Sequence, residues 1–386
     1  MDWQAFRRQF PALEGRIYLN TAGGGAVAAK TAAAAMRYYE EAVVDGDTGW
    51  SRWLERLEAD RADVAAWIGS VPGRLSFMPN TSLGLNIIAR SFDEPVGVLA
   101  VDQEFPSCTY PFLRAGHRLE FVSTPPDGRI DPGFLPDRPA ADVRMLVLSA
   151  VQFANGFRAD LGAIGAWCRE RNLLFAVDAT QSISAFPIDM EAQHIDWLVF
   201  SGYKWATAGY GNGVLASGER TPAVDPPLVG WRSARDSEST EVYAPVNDRL
   251  DLLQSGIGHE MGHPLFPTSF ALAEATRVMR AVGTDALSGR ILQLTSSVRN
   301  GLAERGIAIR SYNGREGMSG ITLVDTALGR GGKGGVEAAR IADILFERGV
   351  VVSARDGGLR VSVHAYNSED DVSAFLSALD EVLPGC

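Results

Sequence analysis

Reactive side chains stand at the ends of several short apolar runs in this sequence. Asp178 closes one run, Lys204 lies just beyond the next, and Phe105 follows an earlier one. Thr81 and Ser82 come after the first of these runs and open a predicted helix. A carboxylate can hold a proton on a ring nitrogen, a neutral lysine can attack a carbonyl carbon, and hydroxyls at a helix start can bind an anion. The residue types therefore indicate carbonyl–amine chemistry on an anionic, aromatic partner.

Lysine is rare in this chain, which makes Lys204 informative. The basic residues are almost all arginine, and the only lysines are Lys30, Lys204 and Lys333. A lysine can lose its proton near neutral pH and act as a nucleophile, whereas an arginine cannot. Lys204 is therefore the candidate nucleophile.

Pyridoxal phosphate requires this combination of groups. Lys204 supplies the amine for a Schiff base, Asp178 holds the pyridine nitrogen protonated, and Phe105 can stack on the ring. Phosphate binding requires a helix N-terminus and hydroxyls, which are supplied by Asn80, Thr81, Ser82 and Ser201. Each of these residues alone has a common structural explanation, such as a cap, a turn or a solvated charge. Their joint occurrence favours the cofactor.

Alternating apolar runs and helical patterns must position these groups. The predicted strands cover residues 75–78, 96–101, 119–122, 145–148, 173–177, 197–200 and 213–216. Strands that alternate with helices predict an α/β fold with a doubly wound, mostly parallel seven-stranded sheet. Residues 218–267 are irregular in pattern, and a smaller α+β unit follows. We expect a large domain over 18–268 and a small one over 269–386, joined by 1–17.

Composition limits the possible partners. The chain has 386 residues, 46% of them hydrophobic, and a formal net charge of −11. A negative charge disfavours nucleic acid and anionic membranes, and no apolar run approaches the ~20 residues that cross a bilayer. Three cysteines with no paired spacing indicate no disulfide framework. These features predict a cytoplasmic enzyme that acts on a small molecule.

Two segments resemble a known family. Ala176-Val177-Asp178-Ala179-Thr180-Gln181 and Ser201-Gly202-Tyr203-Lys204-Trp205 resemble the class V aminotransferases, which are fold-type-I enzymes that depend on pyridoxal phosphate. This group includes cysteine desulfurases, isopenicillin N epimerase and kynureninase. The resemblance extends from residues 18–22 to residues 359–367. It implies a homodimer with active sites at the subunit interface.

The resemblance also assigns roles to further residues. It places Gln181 near the phenolic oxygen of the cofactor ring and Tyr203 with the phosphate-binding hydroxyls. Arg360 would bind the substrate carboxylate as a planar fork, with Asn20 also on the substrate side. Trp231 would contact a phosphate, as the tryptophan of a similar kynureninase segment does. No metal is implied.

Departures from the family restrict the reaction. Desulfurases place a histidine over the ring, where this chain has Phe105, and they carry a cysteine on the loop before the substrate arginine. Residues 352–358 contain no cysteine, which disfavours persulfide chemistry. The first expectation is an aminotransferase that acts on a small amino acid. A lyase or hydrolase of kynureninase or cysteine-lyase type is the alternative, and a member that binds the cofactor without turnover is a third.

A competing motif predicts different chemistry. His259-Glu260-Met261-Gly262-His263 matches the two-histidine pattern of zinc hydrolases, which requires a helix. Glycines before the motif and a proline after it disfavour that helix. The resemblance instead suggests a loop that crosses the dimer interface, with His263 directed towards the neighbour's phosphate. His364 is expected to be a structural hydrogen-bonding residue.

Overall fold

The computed structural model describes residues 1–125, 128–221, 225–235, 250–326 and 334–383. Its helices are Trp3–Arg7 (α1), Ala29–Asp45 (α2), Trp50–Trp67 (α3), Thr81–Ala89 (α4), Tyr110–Arg114 (α5), Leu161–Glu170 (α6), Phe266–Val282 (α7), Thr284–Glu304 (α8), Gly334–Glu347 (α9) and Glu369–Val382 (α10). Its strands are Ile17–Tyr18 (β1), Leu75–Met78 (β2), Gly97–Val101 (β3), Arg118–Val122 (β4), Val143–Ser149 (β5), Leu174–Asp178 (β6), Trp197–Ser201 (β7), Gly213–Ser217 (β8), Ile321–Val324 (β9), Val350–Val351 (β10), Ser353–Arg355 (β11) and Gly358–Ser362 (β12).

A seven-stranded sheet forms the centre of the molecule, in the order β2-β8-β7-β6-β5-β3-β4. β8 is antiparallel to both of its neighbours, and the other pairs are parallel. Every residue of β3 and β7 is buried, because helices cover both faces of a sheet of this kind. The predicted α/β fold is thus confirmed, and each predicted strand of this sheet agrees with its observed bounds to within two residues.

The C-terminal part contains smaller sheets. β9, β12 and β11 form an antiparallel sheet, while β10 pairs with β1 and so ties the N-terminal segment to this part. Within this part, Val352 separates β10 from β11. Ser368 caps α10, since its hydroxyl accepts a hydrogen bond from the Asp371 N–H at 3.1 Å.

The helix α7 spans the predicted domain boundary at residue 268. It packs against α2 and α3, where the Phe266 and Trp53 rings lie 5.8 Å apart between centroids. The division at this residue remains a prediction. The long helices α2, α3 and α8 have no counterpart in the sequence-based prediction. None of the described helices is both long and apolar enough to cross a membrane.

Candidate active site

A cavity of about 290 Å³ lies at the carboxyl edge of the central sheet, where ligands bind in folds of this kind. β6 and β7 end there side by side, with Asp178 as the last residue of one and Ser201 as the last residue of the other. The cavity is lined by most of the residues predicted to bind the cofactor: Thr81, Ser82, Phe105, Asp178, Gln181, Ser201, Tyr203 and Lys204. Neighbouring strands therefore bring together groups that are far apart in sequence.

Asp178 is a buried carboxylate that receives one short hydrogen bond and one long contact from a sulfur atom. One oxygen accepts a hydrogen bond from the Thr180 N–H at 2.8 Å, and the other lies 3.7 Å from the Cys108 sulfur. Burial raises the pKa of Asp178, while these hydrogen bonds and the charge of Lys204 oppose that shift. A protonated ring nitrogen in the cavity would supply this carboxylate with a second positive charge besides Lys204.

Lys204 lies in the turn after β7, and the N-terminal segment packs directly on that turn. The Gly25 N–H donates to the Tyr203 carbonyl at 2.8 Å, and a Cβ at Gly25 would lie 2.0 Å from the Lys204 carbonyl oxygen. The Lys204 Nζ is 5.8 Å from the centroid of the Phe105 ring. The pKa of Lys204 is lowered to about 8, chiefly by burial and also by the positive charges of Arg360 and Arg355, while the negative charge of Asp178 opposes this shift. A neutral amine is thus accessible near physiological pH.

Hydroxyl groups converge at the start of α4. Asn80 has an extended backbone and caps the helix by accepting a hydrogen bond from the Leu83 N–H at 3.0 Å. The Thr81 hydroxyl lies 2.7 Å from that of Ser201 and 2.9 Å from that of Thr180. A cluster of hydroxyls at a helix N-terminus is an arrangement that binds phosphate.

Aromatic and amide groups form the rest of the wall. Phe105 packs edge-to-face on Phe153, with 5.3 Å between centroids, and Tyr203 stacks on Tyr210 at 4.6 Å. Gln181 is held on both sides, since its amide nitrogen donates to the Ala22 carbonyl and its oxygen accepts from the Trp205 indole. Its amide nitrogen retains a second hydrogen for a ligand.

Arg360 and Asn20, predicted to bind substrate, lie beside the cavity rather than in its lining. Arg360 is buried and donates to the Phe153 carbonyl at 2.8 Å and the Ser353 hydroxyl at 3.3 Å, two neutral acceptors. Asn20 forms a β-bridge to Ser362, which lies on β12 with Arg360. The Asn20 side-chain oxygen is buried and has no hydrogen-bond partner in the described part of the chain. Both side chains are suited to a ligand that arrives with a carboxylate and an amine.

Trp231 does not line the cavity. It is 43% exposed on a short turn and packs against His263, with 5.4 Å between ring centroids. Its predicted contact with a phosphate therefore remains a prediction. His364 is fully buried, with Nε2 3.1 Å from the Trp205 carbonyl.

The histidine-rich motif forms a turn rather than a zinc-binding helix. His259 ends a 3₁₀ turn, and burial lowers its pKa to about 4. Glu260, the residue that such chemistry would use as a base, forms ion pairs with Arg61 at 2.5 Å and Arg232 at 3.2 Å. No cluster of three or more metal-ligating side chains occurs within the described ranges. Glu260 therefore has a structural role.

Several residues of the site were not predicted. Thr180 contributes a hydroxyl to the phosphate cradle, and its position two residues after Asp178 was the available signal. Glu104 is buried directly before Phe105 and bonds to Ser149. Phe153 lines the cavity, but its part in the site depends on tertiary contacts that no local pattern reveals.

The donor set fits pyridoxal phosphate. The hydroxyl cradle suits the phosphate, the Asp178 carboxylate suits a protonated pyridine nitrogen, and Lys204 offers an amine whose lowered pKa suits an aldehyde. All three groups face one cavity. The geometry therefore supports the expectation drawn from the sequence.

Comparisons with known proteins agree with this site. The family profile described as Aminotransferase class-V matches residues 17–375. An uncharacterized aminotransferase of Bacillus subtilis, YcbU, is 24% identical over 387 residues, which cover 98% of this chain and 97% of the relative. A kynureninase of Bacillus mycoides is 24% identical over 402 residues, with 98% and 91% covered. The solved apo structure of a cysteine desulfurase from Thermococcus onnurineus superposes with a TM-score of 0.86 at 22% identity, covering 99% and 98% of the two chains.

Proposed function

The chain belongs to the class V aminotransferase family and is a pyridoxal-phosphate-dependent enzyme; we propose that its cofactor is bound to Lys204. We further propose that the protein acts as a transaminase on a small amino acid. The observation that supports this most directly is that Lys204 and Asp178 share one cavity with the hydroxyl cradle of α4. The family accounts for the cofactor, and these side chains account for how this chain would use it.

When bound, pyridoxal phosphate supplies an aldehyde that condenses with amines and a ring that withdraws electrons from the substrate Cα. Lys204 presents a neutral Nζ for that condensation and, once substrate has displaced it, moves a proton at Cα. Asp178 would hold a proton on the ring nitrogen. Thr81, Ser201 and the N-terminus of α4 would bind the phosphate, which restricts the position of the cofactor aldehyde relative to Lys204.

Arg360 orients the substrate through its carboxylate. The guanidinium is planar and buried, and its hydrogen-bond partners among the described residues are neutral acceptors, so a substrate carboxylate would gain a charge-assisted pair. Burial lowers the pKa of Arg360 to about 10, which leaves it charged at neutral pH. Asn20 provides a buried amide oxygen that can accept a hydrogen bond from the substrate amine.

A carbon–carbon or carbon–sulfur lyase is the second candidate. The similarity to the Bacillus mycoides kynureninase supports it. Both reactions would begin with transfer of the Cα proton to Lys204 and use the same Lys204–Asp178 pair. They differ at Cβ, where only the lyase breaks a bond to a leaving group. Persulfide transfer of the desulfurase kind is disfavoured, because residues 352–358 contain no cysteine.

Homodimerisation and a cytoplasmic location complete the proposal. Phe105, which would cover the ring, is 40% exposed, so a second copy of the chain that packed over the cavity would bury it; Trp231, which lies outside the cavity lining, is 43% exposed. Cys108 and Cys168 are free thiols, as is usual in a reducing compartment; Cys386 lies outside the described residues. Analytical ultracentrifugation and cell fractionation test these two statements.

Borohydride reduction of the purified holoenzyme tests the central claim. We expect loss of the visible absorbance and a phosphopyridoxyl label on Lys204, located by peptide mass spectrometry. Lys204→Ala should fold but take up no label, while the matched control Lys30→Arg, at an exposed position on α2, should behave as wild type. A label on Lys30 or Lys333, or full turnover by Lys204→Ala, would remove the proposal.

Single-turnover mixing with individual amino acids distinguishes the two reactions. Conversion of the cofactor to its amine form together with a 2-oxo acid indicates transamination. Release of pyruvate or alanine without that conversion indicates the lyase or hydrolase.

A further inference from the structure

A second buried carboxylate lies behind the site, and neither cofactor nor substrate binding has been assigned to it. Glu104 is 9% exposed and stands in the segment between β3 and Phe105. One of its oxygens accepts from the Ser149 N–H at 2.6 Å and the Gln152 amide at 2.9 Å. The other accepts from the Ser149 hydroxyl at 2.6 Å and the Phe105 N–H at 3.1 Å.

These four bonds define the state of Glu104. Three of the donors are N–H groups and the fourth is the Ser149 hydroxyl, so an ionised carboxylate can accept from all four. Burial and the negative charge of Asp178 raise the pKa of Glu104, and the hydrogen bonds from Ser149 and Gln152 oppose that shift. A fully bonded carboxylate of this kind is rigid, because moving it leaves buried donors unpaired.

The partners of Glu104 lead to three different parts of the site. Phe105 carries the ring that lies 5.8 Å from the Lys204 Nζ. Ser149 is paired directly opposite Asp178 in the sheet, and the Cys108 sulfur lies 3.7 Å from both side chains. Glu104 is thus bonded to the wall over the cofactor and to the residue beside its ring-nitrogen partner.

The third connection runs to the substrate side. Gln152 is followed by Phe153, whose ring packs on Phe105 and whose carbonyl accepts from Arg360 at 2.8 Å. Holding Gln152 therefore fixes the carbonyl that orients the guanidinium. Glu104 itself does not line the cavity.

We infer that Glu104 is a positioning residue: it holds Phe105 over the cofactor ring and, through Gln152 and Phe153, sets the direction of Arg360. This inference rests on the proposed function of the site. Glu104 acts through its hydrogen bonds and touches neither ligand. A displacement of about 1 Å at such groups is enough to change rates substantially.

Glu104→Gln in the holoenzyme tests the inference. The glutamine keeps the size of the side chain but turns an amide N–H₂ towards donors, so it cannot keep all four bonds. We expect the visible circular dichroism of the bound cofactor to change and the cofactor to dissociate up to about tenfold faster, as weakened ring stacking allows. Glu120→Gln, the same change at a partly exposed position on β4, is the control and should leave both readouts unchanged.

Gln152→Leu separates the effect of Glu104 on Arg360 from its effect on Phe105. It also provides a test if Glu104→Gln does not fold. It removes only the bond that leads to Phe153, so acetate, used as a probe for the Arg360 pocket, should bind about tenfold more weakly while cofactor dissociation stays within twofold of wild type. Unchanged dichroism and cofactor release in folded Glu104→Gln would overturn the inference. So would unchanged acetate binding in Gln152→Leu. If the wild type itself carries no cofactor on Lys204, the proposed function fails first.

Discussion

The pH at which Lys204 becomes reactive is a direct consequence of its burial. Its pKa is about 8, against an ordinary value of 10.5. At pH 7 about one amine in ten would then be neutral, compared with about three in ten thousand for an ordinary lysine, a gain of about 300-fold in the nucleophilic form. Burial makes the largest contribution, and Arg355 contributes through its positive charge.

The assay is the rate at which apoprotein binds pyridoxal phosphate, followed by visible absorbance between pH 6 and 10. We expect the rate to rise about tenfold per pH unit below pH 8 and to level off above it. The free cofactor also titrates, but its titration is the same for every variant. The shift of the pH midpoint between variants, rather than the absolute rate, therefore reports the pKa of the lysine.

Two variants should move the midpoint in opposite directions. Arg355→Gln removes a positive charge that lowers the pKa of Lys204, so the midpoint should rise. Asp178→Asn removes a negative charge that raises this pKa, so the midpoint should fall. A rate that climbs steadily to pH 10 in the wild type, or a midpoint that is identical in all three proteins, would refute the electrostatic reasoning.

Two further perturbations concern buried charges. Arg360→Gln removes the partner of the substrate carboxylate. This should cost about 2–4 kcal/mol of binding, or about 30- to 900-fold in kcat/KM. A decrease smaller than threefold would mean that another residue binds the substrate carboxylate. Glu260→Ala leaves the Arg61 and Arg232 guanidinium groups without their shared carboxylate, so the free energy of unfolding in urea should fall by about 3–5 kcal/mol. Glu260→Gln, which keeps an acceptor for the Phe77 N–H, should lose less, and equal losses would contradict the ion-pair explanation.

Much of the central sheet was predictable because its strands are buried on both faces. Burial of every residue in β3 and β7 forces a continuous apolar sequence, and such runs are easy to delimit. The groups that come after those strands were predictable for the same reason, since the carboxyl ends of parallel strands share one edge. Asp178 and Lys204 were found in this way.

The long helices were harder to predict. α2 is rich in alanine and largely exposed on one side, so its apolar pattern is weak, and α8 mixes buried arginines with leucines. Their positions depend on packing against α7 and the C-terminal strands rather than on a local signal.

The residues that were missed in the site share a different property. Thr180, Ser149 and Glu104 each have a hydrogen-bond partner at least 20 residues away in sequence. A serine or a glutamate after a strand is common, and only the tertiary structure shows that its partners carry the site. The same holds for Glu260, whose motif indicated a metal while its arginine partners lie far away in sequence.

Burial has opposite consequences for the two central residues. The lowered pKa of Lys204 means that the folded apoprotein favours the neutral amine, so its contribution to stability increases as pH rises from about 8 towards 10.5. The raised pKa of Asp178 means that the fold favours the neutral acid, so its contribution is present at low pH and is lost as pH rises through that raised value. In the apoprotein, no single pH removes the free-energy cost of burying both groups. A ligand that presents a cation to Asp178 and reacts with the neutral amine of Lys204 removes both costs at once. The electrostatic cost of the apoprotein therefore contributes to the selectivity of the site for the cofactor.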